Sequence, residues 1–449
     1  MTFRSLAFSN IKGKWCSYIA FFMSCTFSVM IFYMYAAFLA HPDVVNGQIV
    51  GASKVRQGML FCEYVIVIFS LLFVLYSNSA FVKTRQKEFG LFSLFGMTRA
   101  QIKRLVIYEN TAISLLAIGV GIVLGILFSK LFFMALGVLL NLEQTIAFAV
   151  PAQAIWMTAF GFCILFTLIS LWTARKIGGS QIIDLLKASR RPKGDLYYSP
   201  WLVAAAIGSL GMAYTLALMM NGNNFLSLDF SSFSVRALAI LAAVLVGTYL
   251  VFTQFSVLVL GFIKKRYGIY YRRTNMLIIS LLGFKIRDNA RMLFIVSILS
   301  AIILTASSAF YILGRSAPQE NLKEMISLTM FIGLFISLLF FIASGSMIYF
   351  KLFTELQDDR AQFEALTRIG MTEGEIRNVV VTQVGIIFFV PCVIGIIHAL
   401  VAMKTLDNIL MSSNWIYSFV VIGIYLAMQT IYFVAACRSY IASLRIRRV

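Results

Sequence analysis

Hydrophobic and polar positions along the chain are sorted into long blocks. Ten apolar windows stand at roughly 16–40, 59–82, 105–129, 152–174, 201–220, 237–263, 292–314, 325–350, 378–403 and 409–437. A spanning helix needs about 20 mainly apolar residues, and each window reaches that length. Eight contain no Asp, Glu, Lys or Arg, whereas the second carries Glu63 and the third Glu109. In hydrocarbon every backbone N–H and C=O must be satisfied within its own segment, so runs this long predict helices. They lack the period-two alternation of membrane β-barrel strands. The first window is too long for a cleavable leader and has no small-residue exit, so it reads as a span. The pattern predicts an all-α integral membrane protein with ten transmembrane helices.

Composition agrees. The chain is 60% hydrophobic and only 12% charged, where a soluble domain is nearer half apolar and a quarter charged. The net charge of +20 would suit nucleic acid, but its distribution argues for a membrane. With the N-terminus placed in the cytoplasm, 31 of the 38 Lys and Arg fall in cytoplasmic segments. That asymmetry is the positive-inside rule, with basic loops facing anionic lipid. A multi-pass protein of the cell membrane is expected, with both termini cytoplasmic and no nucleic-acid partner. Cys16, Cys25, Cys62, Cys163, Cys392 and Cys437 all lie in or beside apolar windows without metal-type spacing. They read as small buried hydrophobes rather than as disulfides or a metal site.

The chain repeats itself. Gly96-Met97-Thr98-Arg99-Ala100-Gln101-Ile102 returns, at an offset of 274, as Gly370-Met371-Thr372-Glu373-Gly374-Glu375-Ile376. Phe89 then falls over Phe363, and Leu105 over Val379. Ile11-Lys12-x-Lys14 ahead of span one similarly matches Phe284-Lys285-x-Arg287 ahead of span seven. Two matches at nearly one offset make spans 1–4 and 7–10 two copies of one unit in the same orientation, as in transporters with parallel repeats. The expected divisions are 1–176, an inserted helix pair in 177–270, and 271–449.

Each copy carries an amphipathic stretch after its second span. In the first, Phe89, Phe92 and Phe95 recur every three residues beside Leu91 and Leu94, with Lys83, Lys87 and Glu88 elsewhere. A short helix with an apolar stripe is predicted. Gly96 is placed to end it and Thr98 to cap the next helix. An interfacial helix lying on lipid would account for the basic first copy. The second copy, with six acids against four bases over 351–377, would be repelled by an anionic leaflet. A groove on a partner with two equivalent docking sites accounts for both.

The run R-x-K-E-F-G-L-F-x-L-F-G-M-T-x-x-Q-I at 85–102 resembles the cytoplasmic signature of FtsX-like ABC permeases. The ten-span order resembles their bacitracin-resistance (Bce-type) branch: two FtsX-like four-helix units around an inserted helix pair. Asp359, Phe363 and Ile369 to Ile376 match that branch's second motif. The resemblance implies coupling helices seated on two copies of an ABC ATPase subunit, through Arg85, Lys87, Glu88, Phe89, Phe92, Phe95 and Gly96 in one copy and Asp359, Arg360, Phe363 and Gly370 in the other. ATP and Mg would be used by those partner subunits, with no cofactor bound by this chain. It also implies protection against peptide antibiotics such as bacitracin that seize lipid-linked cell-wall precursors, and signalling to a membrane histidine kinase. The family's extracellular domain between spans seven and eight has no room here, since the connection runs only from about Gly314 to Glu324.

No G-x-x-x-x-G-K-[ST] phosphate cradle occurs, so any ATP is hydrolysed in trans. His41 and His398 near outer span ends, without acidic neighbours in sequence, read as ordinary placements, and no enzyme is recognised. Gly119, Gly121 and Gly125 in span three read as close helix packing. Lys130 reads first as a snorkelling residue. The sharper reading is a cationic cavity of Lys130 with Lys54, Arg56 and Arg236, holding an undecaprenyl pyrophosphate-type lipid. Glu109 is expected to pair with Arg104 or Lys103. Two alternatives stand: a lipoprotein-releasing or mechanotransmitting FtsX-type permease, which works with four spans per chain, and an ion-coupled secondary transporter, which calls for paired carboxylates at the midplane.

Overall fold

The computed structural model describes residues 15–42, 52–139, 149–179, 198–220, 230–272, 274–315, 320–410 and 415–444. Among the described residues there are helices and no strands. They are α1 (Trp15–Leu39), α2 (Ala52–Leu94), α3 (Arg99–Leu139), α4 (Ala152–Gly179), α5 (Pro200–Leu218) and α6 (Phe230–Leu250). A π-helical stretch, Val251–Phe255, joins α6 to α7 (Ser256–Lys265). After the short α8 (Tyr267–Tyr270) come α9 (Asn275–Arg315), α10 (Glu320–Arg368), α11 (Glu373–Leu410) and α12 (Trp415–Leu444). Nine helical stretches among the described residues are long and apolar enough to cross a bilayer. The expected eighth span falls within α10, where the apolar stretch is Ser337–Phe353. The expected N-terminal motif at 11–14 and part of the 314–324 connection lie outside the described residues.

Contacts divide the chain into two units, Met1–Pro192 with Ala317–Ile332 and Lys193–Ser316 with Gly333–Val449. In the first, α1 forms the core, and its apolar span is mostly buried. α3 crosses α1 where Gly121 and Gly125 remove the side chain. A Cβ at Gly121 would stand 2.7 Å from Val29 Cβ, and one at Gly125 2.6 Å from Tyr33 Cδ1. Small residues let the backbones close in, and dispersion contact holds the pair where lipid supplies no hydrophobic drive. Gly119 faces open space and takes no part.

In the second unit α9 and α11 meet in the same manner. Gly395, at the 274 offset from Gly121, would place a Cβ 2.5 Å from Ser300 Cβ and 2.9 Å from the Ser297 carbonyl oxygen. The pair α5–α6 closes at Gly247, against Leu210 and Ser209. It packs within the second unit. His398 of α11 bonds Tyr214 Oη of α5 at 2.6 Å and Thr248 Oγ1 of α6 at 2.9 Å. This buried histidine is thus a three-helix tie, a role its sequence context did not suggest.

Candidate functional site

α2 runs without a break from its span into the expected amphipathic stretch and ends at Leu94. The ending follows from Gly96, whose φ of 89° is a left-handed conformation that other residues adopt at a cost. Its N–H bonds the Ser93 carbonyl at 3.1 Å and the Met97 N–H bonds the Phe92 carbonyl at 3.0 Å. This is a Schellman motif, and Met97 also packs near Phe92 on one apolar cluster. Thr98 and Gln101 then exchange backbone N–H bonds at 2.8 and 3.3 Å, a capping box that starts α3.

The second copy repeats this turn. Gly370 has φ 104°, and Met371 N–H reaches the Leu366 carbonyl at 3.2 Å. Thr372 and Glu375 form the capping box of α11 at 3.0 and 3.3 Å. Immediately before each glycine stands an apolar side chain in the open: Phe95 is 83% exposed and Ile369, at the 274 offset, 82%. Leu91 and Leu94 extend the first exposed patch.

The expected outward stripe is therefore split. Phe89 is buried against Ile102, Val106 and Ile177, and Phe92 is half-buried on the same cluster. Phe363 is buried in its unit. Of the apolar positions expected to face a partner, Phe95 is the fully presented one.

Arg85 departs furthest from expectation. Expected among the residues seated on a partner, it is buried, its guanidinium bonding Glu109 in α3 through both terminal nitrogens (Nη2 to Oε1 3.2 Å) and Glu88 through Nε at 3.0 Å. The rings of Tyr18, Phe81 and Phe89 lie 5.1–5.7 Å from the charge. The bidentate fork and the aromatic faces are what allow an arginine to be buried. Glu109 thus pairs across helices with Arg85, in place of the expected Arg104 or Lys103. One layer further into the span, Asn78 Nδ2 donates to Thr173 Oγ1 of α4 at 2.5 Å, and Asn110 Nδ2 of α3 donates to Asn78 Oδ1 at 3.4 Å.

At the position matching Arg85, the second unit has Asp359, of opposite charge. It is buried too, accepting from Lys285 Nζ of α9 at 2.5 Å and from the Tyr440 hydroxyl of α12. The position matching Glu109 is Gln383, buried and uncharged. Arg360 is exposed and pairs with Glu364 at 3.3 Å. Lys130 is exposed on α3 and Arg236 on α6. The side chains of Lys54, Arg56 and Lys87 lie outside those described. Among the described residues no cluster of His, Cys, Asp and Glu could hold a metal ion.

Long apolar helices packed through glycines, and bent back at two matching capped turns, define a multi-pass membrane protein of permease type. The family model for the FtsX-like permease C-terminal domain matches twice, over residues 61–182 and 334–449. The chain belongs to the FtsX-like permease family. It is 27% identical to an uncharacterised ABC transporter permease of Bacillus subtilis (strain 168), YvcS, over 98% of this chain and 99% of that protein. It is 26% identical to the ABC transporter permease YxdM of the same organism, with the same coverage. The YvcS alignment runs over 646 positions against the 449 residues here, so that relative carries extra sequence without a counterpart in this chain. The bacitracin export permease BceB of Bacillus subtilis is 26% identical over 70% of this chain and 48% of its own length.

Proposed function

We propose that this chain is the ten-span membrane subunit of an ABC transporter and couples ATP hydrolysis by two partner ATPases to work on a membrane-bound substrate. The duplicated turn carries the reading, since each copy holds one bulky apolar side chain in the open beside a left-handed glycine. An exposed side chain on a rigid capped turn suits a cleft on a partner. On the proposed ten-span order six spans separate the turns, so both would lie on one side of the membrane, and the basic loops favour the cytoplasmic side. The likeness to the bacitracin export permease BceB supports peptide antibiotics as the class acted against; freeing lipid-linked cell-wall precursors from the drug and informing a histidine kinase are proposed along with it. On the same footing, Lys54, Arg56, Lys130 and Arg236 are the cations proposed to meet a lipid pyrophosphate.

Seating on the ATPase is assigned to Phe95 and Ile369 at the tips, flanked by Leu94, Glu88 and Arg360. Arg85, Phe89, Asp359 and Phe363 act beneath the tips by fixing their direction. The test is co-purification in detergent with the candidate ATPase, with the subunit ratio read by mass photometry. Two ATPases per permease are expected, falling to one in Phe95→Asp or Ile369→Asp and to none in the double variant. Phe95 is the better probe than Phe92, because Phe92→Asp would also disrupt the cluster beneath it. Unchanged association in the double variant would overturn the assignment.

A further inference from the structure

Glu63, Ser70 and Ser77 of α2 are seven residues apart, a spacing that keeps side chains on one helix face with a drift of only about 20° per step. All three are buried, at 8%, 1% and 1% exposure, and Glu63 Oε1, Ser70 Oγ and Ser77 Oγ have no hydrogen-bond partner. The neighbouring helices present the same condition. The Asn78–Thr173 bond links positions 95 residues apart and sets the register of α2 against α4. The same separation carries Glu63 to Thr158, which is wholly buried with a hydroxyl equally without a partner. On α1, Tyr18 and Phe21 pack on Phe81 of α2. Ser28, one heptad beyond Phe21, is likewise buried and unbonded.

The second unit is an internal control. At the 274 offset the three α2 positions become Ser337, Ser344 and Lys351, all buried. There the hydroxyls turn back on their own helix, to the Gly333 carbonyl at 2.8 Å and the Phe341 carbonyl at 3.0 Å, and Lys351 pairs with Glu355 at 2.7 Å. Polar residues at these positions are thus satisfied in one unit and unsatisfied in the other. A carboxylate is an acceptor only and cannot turn back on a carbonyl. Buried polar groups in native proteins find a protein partner or an ordered water, and an ionised group in a membrane finds a counter-charge or gives up its charge to a proton.

We propose that the first unit encloses a hydrated seam between α1, α2 and α4 that ends at a monovalent-cation site on Glu63, occupied by a proton or by an alkali cation. Among the described side chains of α1 and α4 it faces no fixed cation; those of Arg56, one heptad earlier on α2, and of Lys323 on α10 lie outside those described. Between Trp15 and Leu39, α1 carries no Asp, Glu, Lys or Arg, and neither does α4 between Ala152 and Thr173. His41, buried at the outer end of α1, is the titratable group on the facing helix, and Lys130 of α3 is exposed. The site stands on the unbroken helix α2, whose last residue, Leu94, immediately precedes Phe95, so its occupancy bears on the rod that carries the tip. The proposal does not depend on the ATPase reading, because the site is complete in the permease alone.

The test uses the full chain in lipid nanodiscs, without a partner. In a background whose native cysteines are replaced by serine, Ser70→Cys is expected to react with a water-soluble cationic thiosulfonate. Leu71→Cys, on the exposed apolar face, is expected to remain unlabelled. No labelling at 70, or equal labelling at 70 and 71, would overturn the seam. Infrared difference spectra then read the site. A protonated-carboxyl band that grows as pH falls, ignores Na+ and K+, and is lost in Glu63→Gln assigns a proton. A carboxylate band shifted by Na+ or K+ at fixed pH and lost in Glu63→Gln assigns an alkali cation. Glu63→Asp, which keeps the carboxylate, should retain the band. Wild type and Glu63→Gln giving identical spectra in both series would sink the proposal.

Discussion

The two units share a frame but differ in what lies under their tips. Each has a first helix packed through glycine on its third, a long second helix ending at a left-handed glycine, and a capping box that starts the next span. In the first unit the buried charge under the tip is Arg85, held by Glu109 of the following helix. In the second it is Asp359, held by Lys285 of the preceding helix and by Tyr440 of the last. Backbone geometry was kept while the electrostatic connection was rerouted. The first tip is tied to its own exit helix. The second is tied to the entry and final helices of its unit.

The largest effect should come from Glu109→Ala, which leaves both terminal nitrogens of a buried guanidinium without their carboxylate and only the Glu88 bond at Nε. Removing one partner of a buried pair costs about 3–5 kcal/mol. Gln383→Ala, at the matching site, should cost much less because its amide nitrogen has no partner. Unfolding of the purified permease in mixed micelles would read both, and equal losses would erase the distinction between the units. Next, Asp359→Asn should cost about 1.5–3 kcal/mol, the range for a hydrogen bond to a charged group. Lys285 keeps some access to water, so its loss of a counter-charge is milder than that of Arg85. A loss larger than that of Glu109→Ala would reverse the ranking. The smallest change belongs to the turns. Gly96→Ala and Gly370→Ala should each cost about 1–2 kcal/mol, because an L-residue is strained at those angles. Nothing crowds either site, so the two should agree, and a marked difference would show that the turns are not equivalent.

Much of the frame is legible in the sequence because it depends on local chemistry. Apolar length gives the spans, Gly96 and Thr98 give the turn, and Gly121 and Gly125 give a close crossing. The fate of Phe89, Phe92 and Phe95 is less legible. A spacing of three turns the helix back by about 60° at each step, so the stripe winds from the buried side to the open one. The partner of Glu109 was hidden for another reason. Arg104 and Lys103 are near in sequence, and only the register of α2 against α3 brings Arg85 closer. Tyr440, Lys285 and His398 are joined across even longer separations, which no local pattern encodes.

The reversed charge beneath the tips also bears on the history of the chain. Duplicated segments can exchange and grow alike as long as either copy works in either place. Moving Asp359 into the place of Arg85 would set one buried carboxylate against another at Glu109. The reverse exchange would set Arg85 against Lys285. Once each partner had been recruited from a different helix, swapping these segments became a loss of fold, and the halves were committed to diverge.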